Sequence, residues 1–293
     1  MRSLLFVPAD SDKKIAKSLS VGADCLILDL EDSVAPARKA AARPLAAAFI
    51  TATRTMRQRP RLYVRINALD TPEWERDLAA VLTSRPDGLM LPKPRSAEDV
   101  GQLAIALDHA EAKAGIPVGA TRIIAIATEL PVAVLTLPTY LETSSRLDGL
   151  TWGAEDLSAL VGSSATREPD GRGWTSPYKL ARDLCLFTAL AAGRQPIDTV
   201  YADFRNVEGL TEEARIAARD GFTGKMAIHP DQVAAINAAF TPTQSEIAWA
   251  NEISALFRDN PDAGAFSLRG KMIDRPHSIR ADRILARAKL AGL

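Results

Sequence analysis

The chain has 293 residues, 47% of them hydrophobic and 25% charged, which is the ordinary composition of a globular protein. Its 36 basic and 36 acidic residues cancel, which argues against a nucleic-acid surface, because such a surface needs a clustered basic excess. The N-terminal apolar run is too short for a signal peptide, and no stretch approaches the roughly 18 apolar residues of a membrane-spanning helix. We therefore expect a cytoplasmic protein with no nucleic-acid and no membrane partner. The two cysteines form no metal-binding or redox pair, and we expect both to be buried.

Eight short apolar runs recur along the chain, with helical patterns between them. The runs are nearly continuous rather than alternating, which is typical of strands buried on both faces of a parallel sheet. Strand and helix repeated in this way predict an α/β fold, a (β/α)8 barrel over residues 1–240. The runs are residues 4–7, 25–28, 62–64, 89–91, 123–126, 150–152, 199–201 and 226–228.

One helix between the runs has a clear start. It is predicted to follow Ser96, with Asp99 placed to complete a capping box. Its apolar stripe of Val100, Leu103 and Leu107 has the spacing of a helix that packs one face against a sheet.

A C-terminal extension, residues 241–293, follows the predicted barrel. Its first helix is predicted to be capped by Thr241, with Pro242 in the first turn and Gln244 closing a capping box. Because the extension lies beyond the eighth strand–helix unit, we expect it to pack as a lid on its own barrel or on a neighbouring subunit. Asp274, between an apolar dipeptide and Arg275, is unusually placed for a solvated charge, and the residues alone leave its catalytic role open.

Catalytic groups in a (β/α)8 barrel lie at the carboxyl ends of the strands, where the βα loops converge. Seven of the eight runs in this chain end in ionisable residues. Surface loops are polar too, so each group has a structural alternative. The polar strand ends are residues 29–32, 65–67, 92–94, 128–129, 153–156, 203–205 and 229–231.

Glu129 and Asp156 are the predicted metal ligands. They end adjacent strands, so both carboxylates can converge at the barrel mouth, and two carboxylates completed by water and substrate oxygens suit Mg²⁺. The scarcity of histidine and cysteine argues against zinc. The alternative is that one or both carboxylates pair structurally with Arg65 or Lys93.

Three acidic residues, Asp29, Glu31 and Asp32, follow the second strand. Neighbouring carboxylates repel one another unless a cation or hydrogen-bond donors lie nearby, which favours a place around metal-bound water over direct ligation by all three. For Glu31 the competing interpretation is a solvated loop, because strand alternation would turn it away from the residues on either side.

Two basic residues end the third and fourth strands. Arg65 can grip a carboxylate through two parallel hydrogen bonds, and it can also pair with Glu129 or Asp29. Lys93 could form a Schiff base, but a carboxylate-rich mouth would keep its ammonium charged. Binding of a ligand or a plain ion pair is therefore favoured for Lys93.

The order of these motifs resembles one family, the citrate lyase β-subunit-like CoA-ester lyases of the HpcH/HpaI aldolase superfamily, which include malyl-CoA, citramalyl-CoA and citryl-CoA lyases. Leu-Glu-Asp-Ser-Val at residues 30–34 and Gly-Ala-Glu-Asp-Leu at residues 153–157 are specific in combination, and the resemblance covers nearly the whole chain. The other matching segments are residues 5–8, 22–24, 64–67, 91–93, 224–230 and 270–274.

The resemblance implies a trimer or hexamer that binds Mg²⁺, for which Mn²⁺ can substitute, through Glu129 and Asp156. It implies that Arg65 holds an α-keto acid fragment, that backbone N–H groups after the sixth strand bind the carboxylate of this fragment, and that Asp274 acts as acid/base over a neighbouring subunit's site. The residues matched to substrate binding are Arg65, Lys93, Glu129, Gly153, Ala154 and Glu155.

The implied activity is reversible cleavage of a β-hydroxy acyl-CoA to acetyl-CoA or propionyl-CoA and an α-keto acid. Hydrolysis of the same thioester, a CoA-independent keto-acid aldolase and a non-catalytic subunit that binds an acyl-carrier partner are the alternatives. Free CoA released without a keto acid would indicate the thioesterase. The intact acidic residues argue against simple loss of activity.

Overall fold

In a computed structural model, which describes residues 1–171, 173–261 and 264–293, the described chain forms two compact units, Met1–Asn237 and Ala238–Leu293. In the first unit eight parallel strands, β1 to β8, close into a barrel whose strand order follows the chain, as the sequence predicted. Closure is direct, because Leu4 of the first strand pairs with Cys25 on one side and with Met226 on the other. The strands are β1 Ser3–Pro8, β2 Cys25–Asp29, β3 Arg61–Arg65, β4 Gly88–Leu91, β5 Arg122–Ile126, β6 Leu147–Thr151, β7 Gln195–Asp198 and β8 Gly224–Ala227.

The seventh strand was placed wrongly from the sequence. The strand is Gln195–Asp198, and the predicted run 199–201 comes after it. Pro196 cannot donate a ladder hydrogen bond, and polar residues end the strand, so the segment lacks the signature of a buried strand. The Pro196 carbonyl instead accepts from the Thr223 N–H at 3.0 Å, and Asp198 is buried because it has charged partners.

Helices alternate with the barrel strands and continue into the second unit. They are α1 Asp12–Ser18, α2 Lys39–Thr53, α3 Glu73–Val81, α4 Ala97–Lys113, α5 Pro131–Thr136, α6 Glu155–Val161, α7 Ser176–Ala191, α8 Val207–Asp220, α9 Val233–Phe240, α10 Gln244–Asp259 and α11 Arg275–Leu290. Among the residues that are described, no helix is long and apolar enough to cross a membrane.

The cap of α4 is close to prediction and that of α10 is not. Ser96 caps α4 by accepting from the Glu98 N–H, while Asp99 accepts from the Arg95 N–H rather than closing on Ser96. Helix α10 begins two residues later than predicted, with Thr243 as its cap and Glu246 completing the box. A carboxylate at that position accepts more strongly than an amide and complements the helix dipole, which explains the shift away from Gln244.

The barrel interior is a packed apolar core, and both cysteines are buried as expected. Close packing leaves no room for a side chain at Gly88, where a Cβ atom would lie 2.3 Å from Tyr63 Cε1. The inner cluster comprises Leu4, Cys25, Ile27, Tyr63, Met90, Ile124, Ile126, Ile197 and Met226.

The second unit has its own core. Helices α10 and α11 pack against each other and against a hairpin of two strands, β9 Ala265–Leu268 and β10 Lys271–Asp274. Ala250, Ile253, Ile273, Ala281 and Ile284 are buried between them. Asp274 ends β10 and immediately precedes α11.

Candidate active site

Asp29 and Arg65 form the base of the site at the carboxyl ends of β2 and β3. The two residues are partners in the strand register, and Arg65 donates to both carboxylate oxygens of Asp29 at 2.7 and 2.6 Å. Asp29 also accepts from the backbone N–H groups of Glu31 and Ser33. Burial opposes ionisation of Asp29, but the Arg65 guanidinium and the N–H donors outweigh it and hold its pKa below the ordinary value. Asp29 is therefore a fixed anion that orients Arg65.

Glu31 is buried rather than solvated, with 5% of its surface exposed, so the solvated-loop alternative is wrong. Strand alternation does not apply, because β2 ends at Asp29 and the loop then turns inward. Its carboxylate lies 2.9 Å from Arg65 Nη1 and 2.6 Å from Lys93 Nζ. Burial raises the pKa of Glu31 despite these cations. Asp32 takes the outward position and lies 2.9 Å from the same Lys93 Nζ.

Lys93 joins the acidic groups of the mouth. Its Nζ is 3.5 Å from Asp156 Oδ1, in addition to its contacts with Glu31 and Asp32, and its backbone N–H donates to Glu129 Oε2 at 2.5 Å. Its φ of 51° is left-handed, a conformation that costs energy for a residue with a Cβ atom. Burial opposes the charged form, but the surrounding carboxylates raise the pKa of Lys93 above its ordinary value. A charged ammonium cannot attack a carbonyl, which disfavours the Schiff base.

Glu129 and Asp156 differ in exposure. Glu129 is 3% exposed, whereas the Asp156 side chain is 37% exposed at the start of α6. Burial, reinforced by the negative charges of Glu31 and Asp156, raises the pKa of Glu129 to about 8. A carboxyl in that state gains strongly from a nearby divalent cation, and hard oxygen donors suit Mg²⁺. The residues present therefore fit the predicted ion.

Protein ligands alone do not complete such a site. Across residues 1–171, 173–261 and 264–293, no three histidine, cysteine or acidic side chains are grouped so that they could hold a metal ion. Glu129 and Asp156 would supply two ligands, and water and substrate oxygens would supply the others, which is the usual arrangement for Mg²⁺.

The loop from Gly153 to Glu155 lies against Glu129. A Cβ atom at Gly153 would lie 2.7 Å from Glu129 Cγ, so only glycine fits there without displacing that side chain. The Gly153 N–H donates to Thr128 Oγ1 at 3.1 Å. Ala154 is the N-cap of α6 and Glu155 its first residue, where backbone N–H groups have no partner inside the helix and favour an anion.

The comparisons with known proteins agree with this geometry. Residues 2–230 match the family described as HpcH/HpaI aldolase/citrate lyase. The chain belongs to that family. The predicted barrel and the predicted family are thereby confirmed.

Two relatives and one solved structure are similar to this chain over nearly its whole length. The mitochondrial citramalyl-CoA lyase of Mus musculus is 35% identical, over 98% of this chain and 86% of that protein. A citrate lyase subunit beta-like protein of Mycobacterium tuberculosis (strain H37Rv) is 38% identical, over 97% of this chain and 94% of its own. The crystal structure of the protein CitE from Mycobacterium tuberculosis, in complex with magnesium, acetoacetate and coenzyme A, has a TM-score of 0.79 and 35% identity, covering 99% of this chain and 100% of that chain.

Asp274, the predicted acid/base of this family member, lies in the second unit. It is the N-cap of α11, its side chain is 34% exposed, and its Oδ1 lies 2.7 Å from His277 Nδ1. His277 was not identified from the sequence, because the capping-box pattern has Glu or Gln, not His, three residues after the capping residue.

A second group missed from the sequence supports the acidic loop after β2. Lys39 Nζ donates to the backbone carbonyls of Leu30 and Glu31 and to the side chain of Asn67. Asn67 in turn donates to the buried Asp77. A lysine at a helix start gives no sequence signal of such a role, because two of its partners are backbone carbonyls, which any residue type would supply.

Proposed function

We propose that this chain is a magnesium-dependent CoA-ester lyase. Its substrate would be a β-hydroxy acyl-CoA of the malyl, citramalyl or citryl type, cleaved reversibly to acetyl-CoA or propionyl-CoA and an α-keto acid. The proposal is carried by the buried Glu129 carboxyl beside Asp156, at the mouth of a barrel of this family. It is supported by the name of the mouse relative and by the magnesium, acetoacetate and coenzyme A in the CitE complex.

Glu129 and Asp156 would hold the ion, which supplies a Lewis acid for the hydroxyl and carboxylate oxygens of the substrate. Arg65, oriented by Asp29, would bind the carboxylate of the keto-acid fragment. The backbone N–H groups of the first turn of α6, which have no partner within the helix, would add neutral donors to the same carboxylate. Lys93 would keep the acidic loop in place rather than react.

Cleavage breaks the bond between the hydroxyl-bearing carbon and the carbon next to the thioester. The hydroxyl gives up its proton to water and becomes the carbonyl of the keto acid, while the bonding electron pair moves to the thioester fragment as an enolate. Asp274 would donate a proton to that carbon, and would remove it in the condensation direction.

We further propose that residues 1–240 form the catalytic barrel and that residues 241–293 form a lid over a neighbouring subunit of a trimer or hexamer. The separate core of the second unit supports this division. Packing of this lid on a partner barrel would bring Asp274 close to the ion and the keto acid bound in that barrel.

A panel of malyl-, methylmalyl-, citramalyl- and citryl-CoA, with both products measured, tests the activity. We expect one thioester to yield an acyl-CoA and a keto acid together, with a strong chelator abolishing the reaction and Mg²⁺ or Mn²⁺ restoring it. Full activity in the chelator would refute the role of the ion. Release of free CoA without a keto acid would favour the thioesterase instead.

A further inference from the structure

His277 makes two contacts with Asp274 through one ring nitrogen. His277 Nδ1 lies 2.7 Å from Asp274 Oδ1 and 3.2 Å from the Asp274 backbone nitrogen. The two residues occupy the N-cap and third positions of α11, where a side chain at the third position usually accepts from the N-cap N–H. The contact with the carboxyl oxygen is additional to that capping role.

One Nδ1 atom cannot serve both contacts in the same way at once. With a proton, Nδ1 donates to the Asp274 carboxylate; without one, it accepts from the backbone N–H or from a protonated Asp274 carboxyl. The Asp274–His277 pair can therefore hold one proton at either end of a 2.7 Å contact. The backbone N–H stabilises the state in which the proton has moved to Asp274, because Nδ1 then has a lone pair to accept with.

The ring also has access to a cavity. His277 is 37% exposed and lines a cavity of about 390 Å³ in the second unit. The charged groups lining this cavity are Glu246 of α10, Lys271 of β10 and Arg280 of α11, and the Arg280 guanidinium lies over Trp249. Protons can reach the ring through this cavity.

We propose that His277 is the proton partner of Asp274, a positioning residue that orients the carboxyl and restores its proton. This inference rests on the proposed lyase function and adds a residue to it. When Asp274 gives its proton to the enolate carbon it becomes a carboxylate and the pair holds no shared proton. Solvent then protonates the ring of His277 at Nδ1, and Nδ1–H transfers that proton to Asp274 Oδ1, which leaves the ring neutral again. In the condensation direction the proton moves from carbon to Asp274, then to His277 and to solvent.

His277→Gln separates this role from simple capping. Glutamine at the third position can still accept from the Asp274 N–H, but it cannot carry a proton. In the full-length enzyme with its preferred thioester, we expect Tm and KM to change little, kcat to fall about tenfold or more, and the pH dependence of kcat to change. A kcat and a pH profile equal to those of the unmodified enzyme would overturn the proposal.

His277→Ala covers the case in which the glutamine variant is impaired for structural reasons. Added imidazole should restore part of the kcat of His277→Ala, because a free ring can replace the missing proton carrier. Failure of imidazole to restore any activity would overturn the proposal.

A measurement without substrate separates this idea from the proposed function. Proton NMR of the full-length protein should show a downfield imidazole N–H resonance that is lost in His277→Gln and shifted in Asp274→Asn. If the protein is inactive on every thioester but shows this resonance, the lyase function is refuted and the proton-sharing pair stands. Its absence in an active enzyme would refute the pair.

Discussion

The Glu129 side chain shows how burial close to other carboxylates prepares a residue for a cation. An ordinary glutamate has a pKa of 4.5, whereas burial beside Glu31 and Asp156 raises that of Glu129 to about 8. Without an ion, the folded chain therefore keeps this carboxyl protonated near neutral pH. The Lys93 N–H can stabilise only one of its oxygens.

Glu129→Gln should remove the pH dependence of stability that this burial causes in metal-free protein. Because the folded pKa is raised, the contribution of Glu129 to stability is complete below about pH 4.5 and is lost as the pH rises through about 8. Glutamine stays neutral, so in a chelator at pH 8.5 the variant should be more stable by on the order of 3 kcal/mol. Urea unfolding at pH 5 and at pH 8.5 measures this, and an equal difference at the two pH values would contradict it.

Gly153→Ala should impair the site with little effect on the fold. The added Cβ atom would lie 2.7 Å from Glu129 Cγ and 3.3 Å from Ile126 Cγ2, so the Glu129 side chain has to move. Misplacing a catalytic group by about 1 Å can lower the rate about 100-fold, and we expect kcat/KM to fall at least tenfold. Gly101→Ala is the matched control, because a Cβ atom there meets nothing within 4 Å. A Gly153→Ala enzyme as active as this control would show that the contact is unimportant.

At the scale of elements, β7 and β8 are joined by a buried ionic network. Asp198 and Lys225 are register partners, and Lys225 Nζ lies 2.7 Å from Asp198 Oδ2 and 2.8 Å from Glu213 Oε1. Asp198 also accepts from Trp152 Nε1 at 2.8 Å. Trp152 directly precedes Gly153, so the network fixes the strand end from which the site loop departs.

Lys225→Met should destabilise the protein by about 3–5 kcal/mol, because it leaves Asp198 buried without its principal cation. The double variant with Asp198→Asn should recover part of that loss, since no unpaired charge then remains between the strands. Denaturant unfolding measures both effects. Arg215→Met, which breaks an exposed pair with Glu212 on α8, is the control and should change stability by less than about 1 kcal/mol. A Lys225→Met loss no larger than that would contradict the role of the network.

At the scale of the whole molecule, subunit complementation tests the proposed lid. Asp156→Asn and Asp274→Asn should each be nearly inactive alone. If Asp274 acts on a neighbouring barrel, mixed oligomers should regain up to about a quarter of normal activity, because random assembly pairs an intact barrel with an intact lid at that frequency. Mixtures that stay inactive after subunit exchange would show that each chain completes its own site.

The sequence predicted the barrel because short apolar runs overlap seven of its eight strands. Strand β7 was misplaced because Pro196 and Asp198 interrupt its apolar pattern. The meeting of Arg65, Lys93 and Glu129 was also predictable, since parallel strands bring their carboxyl ends to one rim. The individual contacts that these side chains make could not be predicted. The left-handed backbone at Lys93 and the inward turn at Glu31 depend on loop geometry, which hydrophobic periodicity does not encode.

The tight packing of Gly153 on Glu129 has a thermodynamic consequence. Under the proposed function, Glu129 holds the cation, and Gly153 lies on the loop that receives the keto acid. A ligand that fixes either side also restricts the other, so the two binding equilibria are linked, and each ligand must change the affinity of the other by the same factor. Saturating keto acid would then lower the dissociation constant of the ion, and the enzyme would retain its metal most firmly while a substrate is bound.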